Sequence, residues 1–282
     1  MQDNEILINW YPGHMAKAMK EIKEISNLVD LMIIILDARC PISSYNEDFD
    51  KIASNKKRLF IITKSDLMDN NKKELIKKRF QNETLLWLDL RNNKHKNTII
   101  NSINKMTKEK KLKDINKGFI LSKIRVFVLG IPNAGKSTLI NLISNKKTLK
   151  VANYPGVTRV KKWVSVNNMY FLDTPGILLP KFENQEAAIK LLMIGSIESK
   201  IFPNSFLAFH FLKILIKFYP EKVFNYWNEI IENKEIDDID CHNFFSNVAR
   251  KKNYKINNKL NLEKVYKEFI IWTKNLKGVT YD

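Results

Sequence analysis

Five runs of consecutive apolar residues lie in the first two thirds of the chain, and they lack the alternation of a half-exposed strand. They are LMIIIL (31–36), RLFIIT (58–63), TLLWLDL (84–90), IRVFVLG (124–130) and MYFLD (169–173). Runs of this length, rich in Ile, Val, Leu and Phe, are typical of strands buried on both faces of a parallel sheet.

Segments with helical periodicity alternate with these runs. In residues 15–28, apolar side chains recur at steps of three and four, and lysines occupy the other face. The apolar positions are Met15, Met19, Ile22, Ile25 and Leu28. Alternation of strands and helices predicts an α/β domain with a mostly parallel, doubly wound sheet, which we place at residues 1–182.

The strand signal fades after this region, and four helix-like segments follow. They are 184–199, 205–219, 241–253 and 261–276, and Pro203, Pro220 and the acidic EIDDID (235–240) separate them. The most apolar segment, 205–219, is too short to span a membrane and contains two lysines, so a buried helix is the better interpretation. We expect a small all-α domain over residues 183–282.

Charge changes the picture, because the formal net charge is +18 and most of the excess lies in the first domain. Basic clusters occur at 56–58, 72–79, 94–96, 108–113 and 159–162. Such a balance favours a polyanionic partner, either nucleic acid or an anionic membrane face. A lysine- and asparagine-rich coding bias is the alternative, and each cluster alone is an ordinary solvated face.

The two cysteines, Cys40 and Cys241, form no disulfide framework and have no metal-ligand spacing, which indicates a reducing compartment. The opening residues MQDNEILINW lack the basic start of a signal peptide. We expect a cytoplasmic protein without a membrane anchor.

The segment GIPNAGKST (130–138) fits the P-loop pattern and lies between a predicted strand and a predicted helix, as that motif requires. Backbone N–H groups of such a loop bind phosphates, while Lys136 would neutralise the β- and γ-phosphates and Ser137 would bind Mg²⁺. The predicted phosphate-binding residues are Asn133, Ala134, Gly135, Lys136, Ser137 and Thr138. A simple glycine turn is the alternative.

Two further motifs extend the phosphate site. DTPG (173–176) ends a predicted strand, where Asp173 would act on Mg²⁺ from the second shell and the Gly176 N–H would reach the γ-phosphate. YPGVTR (154–159) supplies Thr158 as a candidate switch residue that completes the Mg²⁺ shell.

TKSD (63–66) follows another predicted strand and has the residues to recognise a base. The Asp66 carboxylate can accept hydrogen bonds from the N1–H and N2–H₂ of guanine, and the Lys64 stem can lie along the ring. With Thr63, these residues favour GTP over ATP. The motif precedes the P-loop by about 70 residues, whereas it follows it in ordinary small GTPases, so the domain is predicted to be circularly permuted.

The ordered set NWYPGHMAKA (9–18), DARCPISS (37–44), TKSD, GIPNAGKST, PGVT, DTPGIL and PKF (180–182) resembles the circularly permuted GTPases of the YlqF/RbgA family, ribosome biogenesis GTPase A. The resemblance implies a GTPase, slow alone and stimulated by ribosomal particles, that acts late in maturation of the large ribosomal subunit. It implies a monomer that contacts ribosomal RNA through both domains and switches affinity with nucleotide state.

The resemblance also implies roles for particular residues. The residue after DTPG is Ile177, which cannot hold a water as the glutamine of Ras-like enzymes does, and the family assigns that role to the histidine that corresponds to His14. A capping or packing histidine is the alternative. The family associates Asn133 with a K⁺ near the phosphates, and a plain loop residue is the alternative. The family's guanine-contacting loop falls at Asp89 and Leu90, without its usual Ser-Ala pair.

In the helical domain, RKKNYK (250–255) interleaves an aromatic residue with basic ones. Arg250 and Lys251 could bind RNA phosphates while Tyr254 stacks on a base, or the segment could be a solvated helix end.

Two alternatives to the enzyme stay open: an RNA-binding scaffold that needs GTP with negligible turnover, and a P-loop GTPase that acts on tRNA or at a membrane.

Overall fold

A computed structural model describes residues 7–52, 54–120, 122–145, 149, 162–231, 233 and 235–282. Within these ranges one six-stranded sheet forms the centre of the first domain. Its strands are β1 (Leu31–Asp37), β2 (Lys57–Thr63), β3 (Thr84–Leu88), β4 (Ile124–Gly130), β5 (Lys162–Val166) and β6 (Met169–Asp173). The predicted α/β fold is confirmed.

The strand order is β3-β2-β1-β4-β6-β5, and all pairs are parallel except β5 with β6. In register, Asp37 lies opposite Thr63, and Ile35 lies opposite Gly130. The last residues of β1, β2 and β4 therefore lie close together at the carboxyl edge of the sheet.

Helices flank this sheet on both faces. They are α1 (Gly13–Glu24), α2 (Lys73–Arg79), α3 (His95–Met106), α4 (Lys108–Asn116) and α5 (Lys136–Ser144). Alternate side chains of β1 enter different cores: Leu31, Ile33 and Ile35 pack on one face, and Met32 and Ile34 on the other. Because both faces are covered, the central strands are apolar without alternation.

The second part of the chain contains five helices in the described ranges. They are α6 (Gln185–Met193), α7 (Asn204–Phe218), α8 (Pro220–Trp227), α9 (Asp238–Lys251) and α10 (Leu262–Lys274). A short antiparallel hairpin lies between α9 and α10, and its strands are β7 (Lys255–Ile256) and β8 (Lys259–Leu260). The predicted buried helix over 205–219 corresponds to α7, and Phe211 at its centre has no exposed surface.

Four elements differ from the sequence expectation. β3, predicted to be buried on both faces, is an edge strand whose one buried side chain is Leu88. β5, an edge strand with one buried side chain, Val164, was not predicted because its sequence KWVSV contains no continuous apolar run. Pro220, taken as a separator, is the first residue of α8, a position where a missing N–H costs nothing. The helix expected over 15–28 spans Gly13–Glu24.

The last four residues of the chain bind back onto the α/β domain. The N–H of Val279 donates to Leu67 O (3.1 Å), and the N–H of Tyr281 donates to Arg39 O (2.7 Å). The Thr280 hydroxyl donates to Ala38 O (3.0 Å). Residues 279–282 therefore join the helical domain to the loops that follow β1 and β2.

No helix within the described ranges is both long enough and apolar enough to cross a lipid bilayer.

Tyr281→Ala should destabilise the protein, because the ring is 1% exposed and packs edge-on against Tyr219 at the junction of the two domains. We expect a loss of about 3–5 kcal/mol in the free energy of unfolding, the usual range for removing a buried aromatic ring. Denaturant-induced unfolding measures the change, with Tyr281→Phe as the matched control that keeps the ring. A Tyr281→Ala protein as stable as Tyr281→Phe would show that the junction contributes nothing.

Candidate functional site

A cavity of about 790 Å³ opens at the carboxyl edge of the sheet. The loops after β2, β3, β4 and β6 all contribute to it, as expected where parallel strands end together. The α/β domain lines it with Arg39, Thr63, Lys64, Asp66, Leu67, Asp89, Leu90, Arg91, Pro132, Asn133, Ala134, Gly135, Lys136, Ser137, Thr138 and Gly176. The structure therefore brings together the predicted phosphate-binding and base-binding residues.

The P-loop connects β4 to α5 in the backbone conformation that its glycines allow. Gly130 has φ +151°, and a Cβ there would lie 2.6 Å from Ile35 O, so β1 excludes any side chain. The Lys136 ammonium donates to Gly130 O (3.1 Å) and Ile131 O (2.8 Å). Burial lowers the pKa of Lys136 to about 8, although Asp173 opposes this shift. The buried lysine thus lies beneath the loop whose N–H groups are expected to hold phosphates.

Ser137 and Asp173, the residues predicted to act on Mg²⁺, contact each other. The Ser137 hydroxyl donates to Asp173 Oδ2 (2.9 Å). Asp173 Oδ1 is buried and accepts no hydrogen bond within the described part of the chain. Burial raises the pKa of Asp173, and Lys136 and Ser137 partly offset this shift. A buried acceptor without a donor, beside a hydroxyl, is a donor set that Mg²⁺ or one of its water ligands would satisfy. The residues fit the ion.

The DTPG turn packs directly on the P-loop. A Cβ at Gly176 would lie 2.4 Å from Pro132 N, so only glycine permits this approach. The next residue, Ile177, donates its N–H to Gly130 O (3.2 Å), and its side chain is 1% exposed in the core of the sheet's second face. Ile177 is therefore a packing residue and does not line the cavity.

The TKSD loop is fastened to the P-loop by two side chains. The Thr63 hydroxyl donates to Ala134 O (2.6 Å), and the Lys64 ammonium donates to Asn133 O (2.8 Å). Lys64 has φ +55°, an uncommon conformation for a residue with a long side chain. These bonds hold the TKSD loop against the P-loop.

Arg91, in the loop after β3, links Asp66 to Asp89. Arg91 donates to Asp66 Oδ2 (2.5 Å) and, through Nε, to Asp89 Oδ1 (2.9 Å). Hydrogen bonding from Arg91 lowers the pKa of Asp89. The Leu90 side chain lies beside Gly135, 3.3 Å from where a Cβ would be. Asp89 and Leu90 thus line the cavity as predicted, whereas Arg91 was missed because an isolated arginine in a loop has no pattern.

The sequence also left the roles of Asp37 and Arg39 unassigned, although DARCPISS contributed to the resemblance. Asp37 is fully buried at the end of β1 and accepts from Arg39 Nε (3.0 Å), Arg39 Nη2 (2.8 Å) and Lys64 Nζ (2.6 Å). Burial alone would raise the pKa of Asp37, but Arg39 and Lys64 hold it well below its usual range. Asp37 therefore stays ionised and fixes both cations.

The helical domain completes the cavity. The Asn133 amide donates to Gly195 O (2.7 Å), and the Ser196 hydroxyl donates to Pro132 O (2.9 Å). Ile194, Gly195 and residues 274–277 join the lining. Gly195 has φ +77°, which turns the chain out of α6 and towards the P-loop. These contacts join residues far apart in the chain, and no local pattern indicates them.

One predicted site residue lies away from the cavity, and another lies outside the described residues. His14 is half-buried in the first turn of α1 and is not among the residues that line the cavity. Thr158 lies outside the described residues.

The predicted RNA-binding segment has partners within the helical domain. Arg250 donates to Asn247 Oδ1 (2.9 Å), and Lys251 donates to Asn228 O (2.6 Å). The Lys264 ammonium lies 3.8 Å from the centroid of the Tyr254 ring and covers one of its faces. One face of the tyrosine at most remains for stacking.

Comparison with known proteins agrees with this geometry. The sequence profile of a family described as "50S ribosome-binding GTPase" matches residues 125–240, beginning in β4 at the P-loop. The chain is 37% identical to ribosome biogenesis GTPase A of Bacillus licheniformis over 221 residues, 77% of this chain and 78% of that one. It is 32% identical to ribosome biogenesis GTPase A of Thermotoga maritima over 212 residues, 72% and 73% of the two chains.

Two solved structures share the fold. A GDP-bound YlqF has a TM-score of 0.60 at 24% identity, covering 93% of this chain and 98% of that one. GNP-bound YlqF from T. maritima has a TM-score of 0.58 at 23% identity, covering 94% and 97%.

Binding of a nucleoside triphosphate should take up a proton near pH 8, because phosphates raise the pKa of Lys136 back above about 8. Since the lysine of the free protein loses its proton as pH rises through this value, affinity should fall about fourfold between about pH 7 and pH 8.5. Calorimetry in buffers of different ionisation enthalpy measures the uptake. Lys136→Arg is the control, because its guanidinium does not titrate in this range. Binding of the nucleotide without proton uptake would contradict the assignment of Lys136 as the phosphate-binding lysine.

Proposed function

The chain belongs to the ribosome biogenesis GTPase A family, and we propose that it hydrolyses GTP to assist a late step in maturation of the large ribosomal subunit. One observation carries this proposal: a single cavity is lined by the P-loop lysine Lys136, by Ser137, which donates a hydrogen bond to Asp173 behind it, and by the carboxylate of Asp66. This combination suits a guanine nucleoside triphosphate with Mg²⁺.

In the proposed complex, Asp66 accepts hydrogen bonds from the guanine edge while the Lys64 stem and Thr63 hold the plane of the base. Asp89 and Leu90 close the other side. The support is that all five residues belong to loops at one sheet edge and that four of them are hydrogen-bonded to the P-loop, to Asp37 or to Arg91.

The phosphates would lie on the N–H groups of residues 133–138 and of Gly176, and Lys136 would move from the loop carbonyls to the β- and γ-phosphates. Ser137 would bind Mg²⁺ directly, with Thr158 as a second ligand, and Asp173 would hold one of its waters. Mg²⁺ supplies charge that stabilises the phosphates as negative charge develops on them. In this scheme Asp173 stays ionised beside Lys136.

Hydrolysis needs a group that positions the attacking water, and we propose that His14 supplies it when a ribosomal particle holds the N-terminal segment near the γ-phosphate. The support is that Ile177, the residue after DTPG, is buried in the core and does not line the cavity. Turnover by the free protein should therefore be slow. We further propose that K⁺ binds near Asn133 through the side-chain oxygen, since the amide nitrogen donates to Gly195 O.

The proposed partners are a large-subunit precursor and its ribosomal RNA, bound by a monomer in the cytoplasm with affinity set by the nucleotide. The net charge of +18 supports contact with a polyanion. Arg250, Lys251 and Tyr254 are the proposed contacts in the helical domain, residues 183–282, and the GTPase domain over residues 1–182 would supply the rest.

A GTP-dependent RNA-binding scaffold with negligible turnover is the second candidate. The position of His14 outside the cavity lining favours it. Phosphate release separates the two candidates: stimulation by purified large-subunit precursors supports the enzyme, and unstimulated release at saturating particle supports the scaffold.

His14→Ala should keep the affinity for GTP while particle-stimulated phosphate release falls by about 100-fold, the usual scale for losing a water-positioning group. The matched control is His242→Ala, since His242 is exposed on α9 and does not line the cavity. Exchange of K⁺ for Na⁺ at constant ionic strength tests the K⁺ assignment in the same assay. If His14→Ala and His242→Ala release phosphate equally fast in the presence of the particle, His14 has only a packing role.

A further inference from the structure

The geometry points to Arg39 as a positioning residue that holds the nucleotide-binding loops and transmits their state to the helical domain. The proposal rests on the proposed function in one respect, because its test uses a guanine nucleotide as the ligand. It assigns a role to a buried arginine whose guanidinium contacts both halves of the chain.

A closed circuit of hydrogen bonds carries this inference. Asp37 accepts from Lys64 (2.6 Å), and Lys64 donates to Asn133 O (2.8 Å). The Asn133 amide donates to Gly195 O (2.7 Å). Arg39 Nη2 closes the circuit, because it donates to the carbonyl of Ile194, the neighbour of Gly195 (3.2 Å), and to Asp37 (2.8 Å).

The circuit is constrained because two of its three charged side chains are buried and three of its residues have positive φ. Asp37 is fully buried and Arg39 is 6% exposed. Lys64, Asn133 and Gly195 have φ of +55°, +58° and +77°. A lysine in this conformation is unfavourable and persists where surrounding contacts fix it. Lys64 has two such contacts, one to Asp37 and one to Asn133.

All members of the circuit except Asp37 also line the cavity. In the proposed complex the Lys64 stem would lie along the base, and Asn133 is the first of the predicted phosphate-binding residues. A nucleotide that moves Asn133 must either carry Gly195 with it or break their hydrogen bond. Because packed, hydrogen-bonded elements switch between discrete arrangements, movement at the loop is passed on to the turn after α6.

From this turn the contacts continue into the last helix. Ser199 lies four residues after Gly195, and its hydroxyl accepts a hydrogen bond from Lys274 at the end of α10 (2.8 Å). The backbone of Arg39 contacts the same domain separately, since its carbonyl accepts from Tyr281 N–H (2.7 Å). Arg39 thus holds the helical domain at two places while it orders Asp37.

Arg39→Lys tests the proposal, because a lysine retains a positive charge for Asp37 but lacks the planar fork that reaches both Asp37 and Ile194. Hydrogen exchange measured by mass spectrometry reports on the amides of residues 192–197 and 274–277, with and without GDP. The matched control is Arg58→Lys: Arg58 also bridges two acidic residues, Asp50 and Glu83, and lies outside the circuit.

We expect GDP to slow exchange of these amides by about threefold to tenfold in the wild type and in Arg58→Lys, the scale of one or two hydrogen bonds. In Arg39→Lys this slowing should be lost, and the Kd for GDP should rise by about threefold to tenfold. If Arg39→Lys does not fold, Asn133→Ala removes the bond to Gly195 without disturbing a buried charge, and the slowing should again be lost.

GDP-dependent slowing that is equal in Arg39→Lys, Asn133→Ala and wild type would overturn the proposal, as would its absence from a wild type that binds GDP. Failure of the proposed function is distinguishable, because the wild type would then bind no guanine nucleotide. The circuit is still tested in that case: Arg39→Lys should speed ligand-free exchange at residues 192–197, and unchanged exchange there would overturn it.

Discussion

The buried carboxylate of Asp37 is the constraint on which the site depends. A charge enclosed at the end of β1 is stable only when cations and donors surround it, and here these come from Arg39 on its own loop and Lys64 on the loop after β2. Satisfying this charge draws in Lys64 from the TKSD loop, and Lys64 in turn contacts the P-loop through Asn133 O. The same arginine reaches the helical domain at Ile194. One desolvated charge is therefore connected, through Arg39 and Lys64, to three loops and to the helical part of the chain.

The geometry of a parallel sheet explains why the permuted chain order leaves the site intact. Strands β1 and β2 precede β4 in the sequence but lie beside it in the sheet, and their carboxyl ends share one edge with β4 and β6. Each motif is attached to a strand end rather than to a position in the chain. A circular permutation changes the order of the motifs along the chain and leaves their positions in the fold unchanged. Compact domains tolerate such a change, because new termini can lie at surface loops.

The sequence was sufficient where the physical signal is local. Five of the six strands are visible as apolar runs, although β3 is an edge strand with one buried side chain. Lys136, Asp66 and Asp173 are recognisable because each lies at or after the end of a strand within a short motif. β5 was missed because its sequence KWVSV has no continuous apolar run. Arg91, Gly195 and Lys274 escaped for another reason: they enter the cavity through tertiary contacts between residues far apart in the chain. The charges of Asp37 and Arg39 were visible, but their burial was not, since charged residues in a loop are ordinarily exposed.

The most direct test of the central claim, that this edge of the sheet reads guanine through Asp66, is a comparison of diphosphate binding by the wild type and Asp66→Asn. Guanine offers two N–H donors to a carboxylate, whereas xanthine has a carbonyl in place of the N2 amine and suits an asparagine amide. The wild type should bind GDP at least about 100-fold more tightly than xanthosine diphosphate, and Asp66→Asn should reverse the preference. An unchanged preference in Asp66→Asn, or equal binding of ADP and GDP by the wild type, would contradict it.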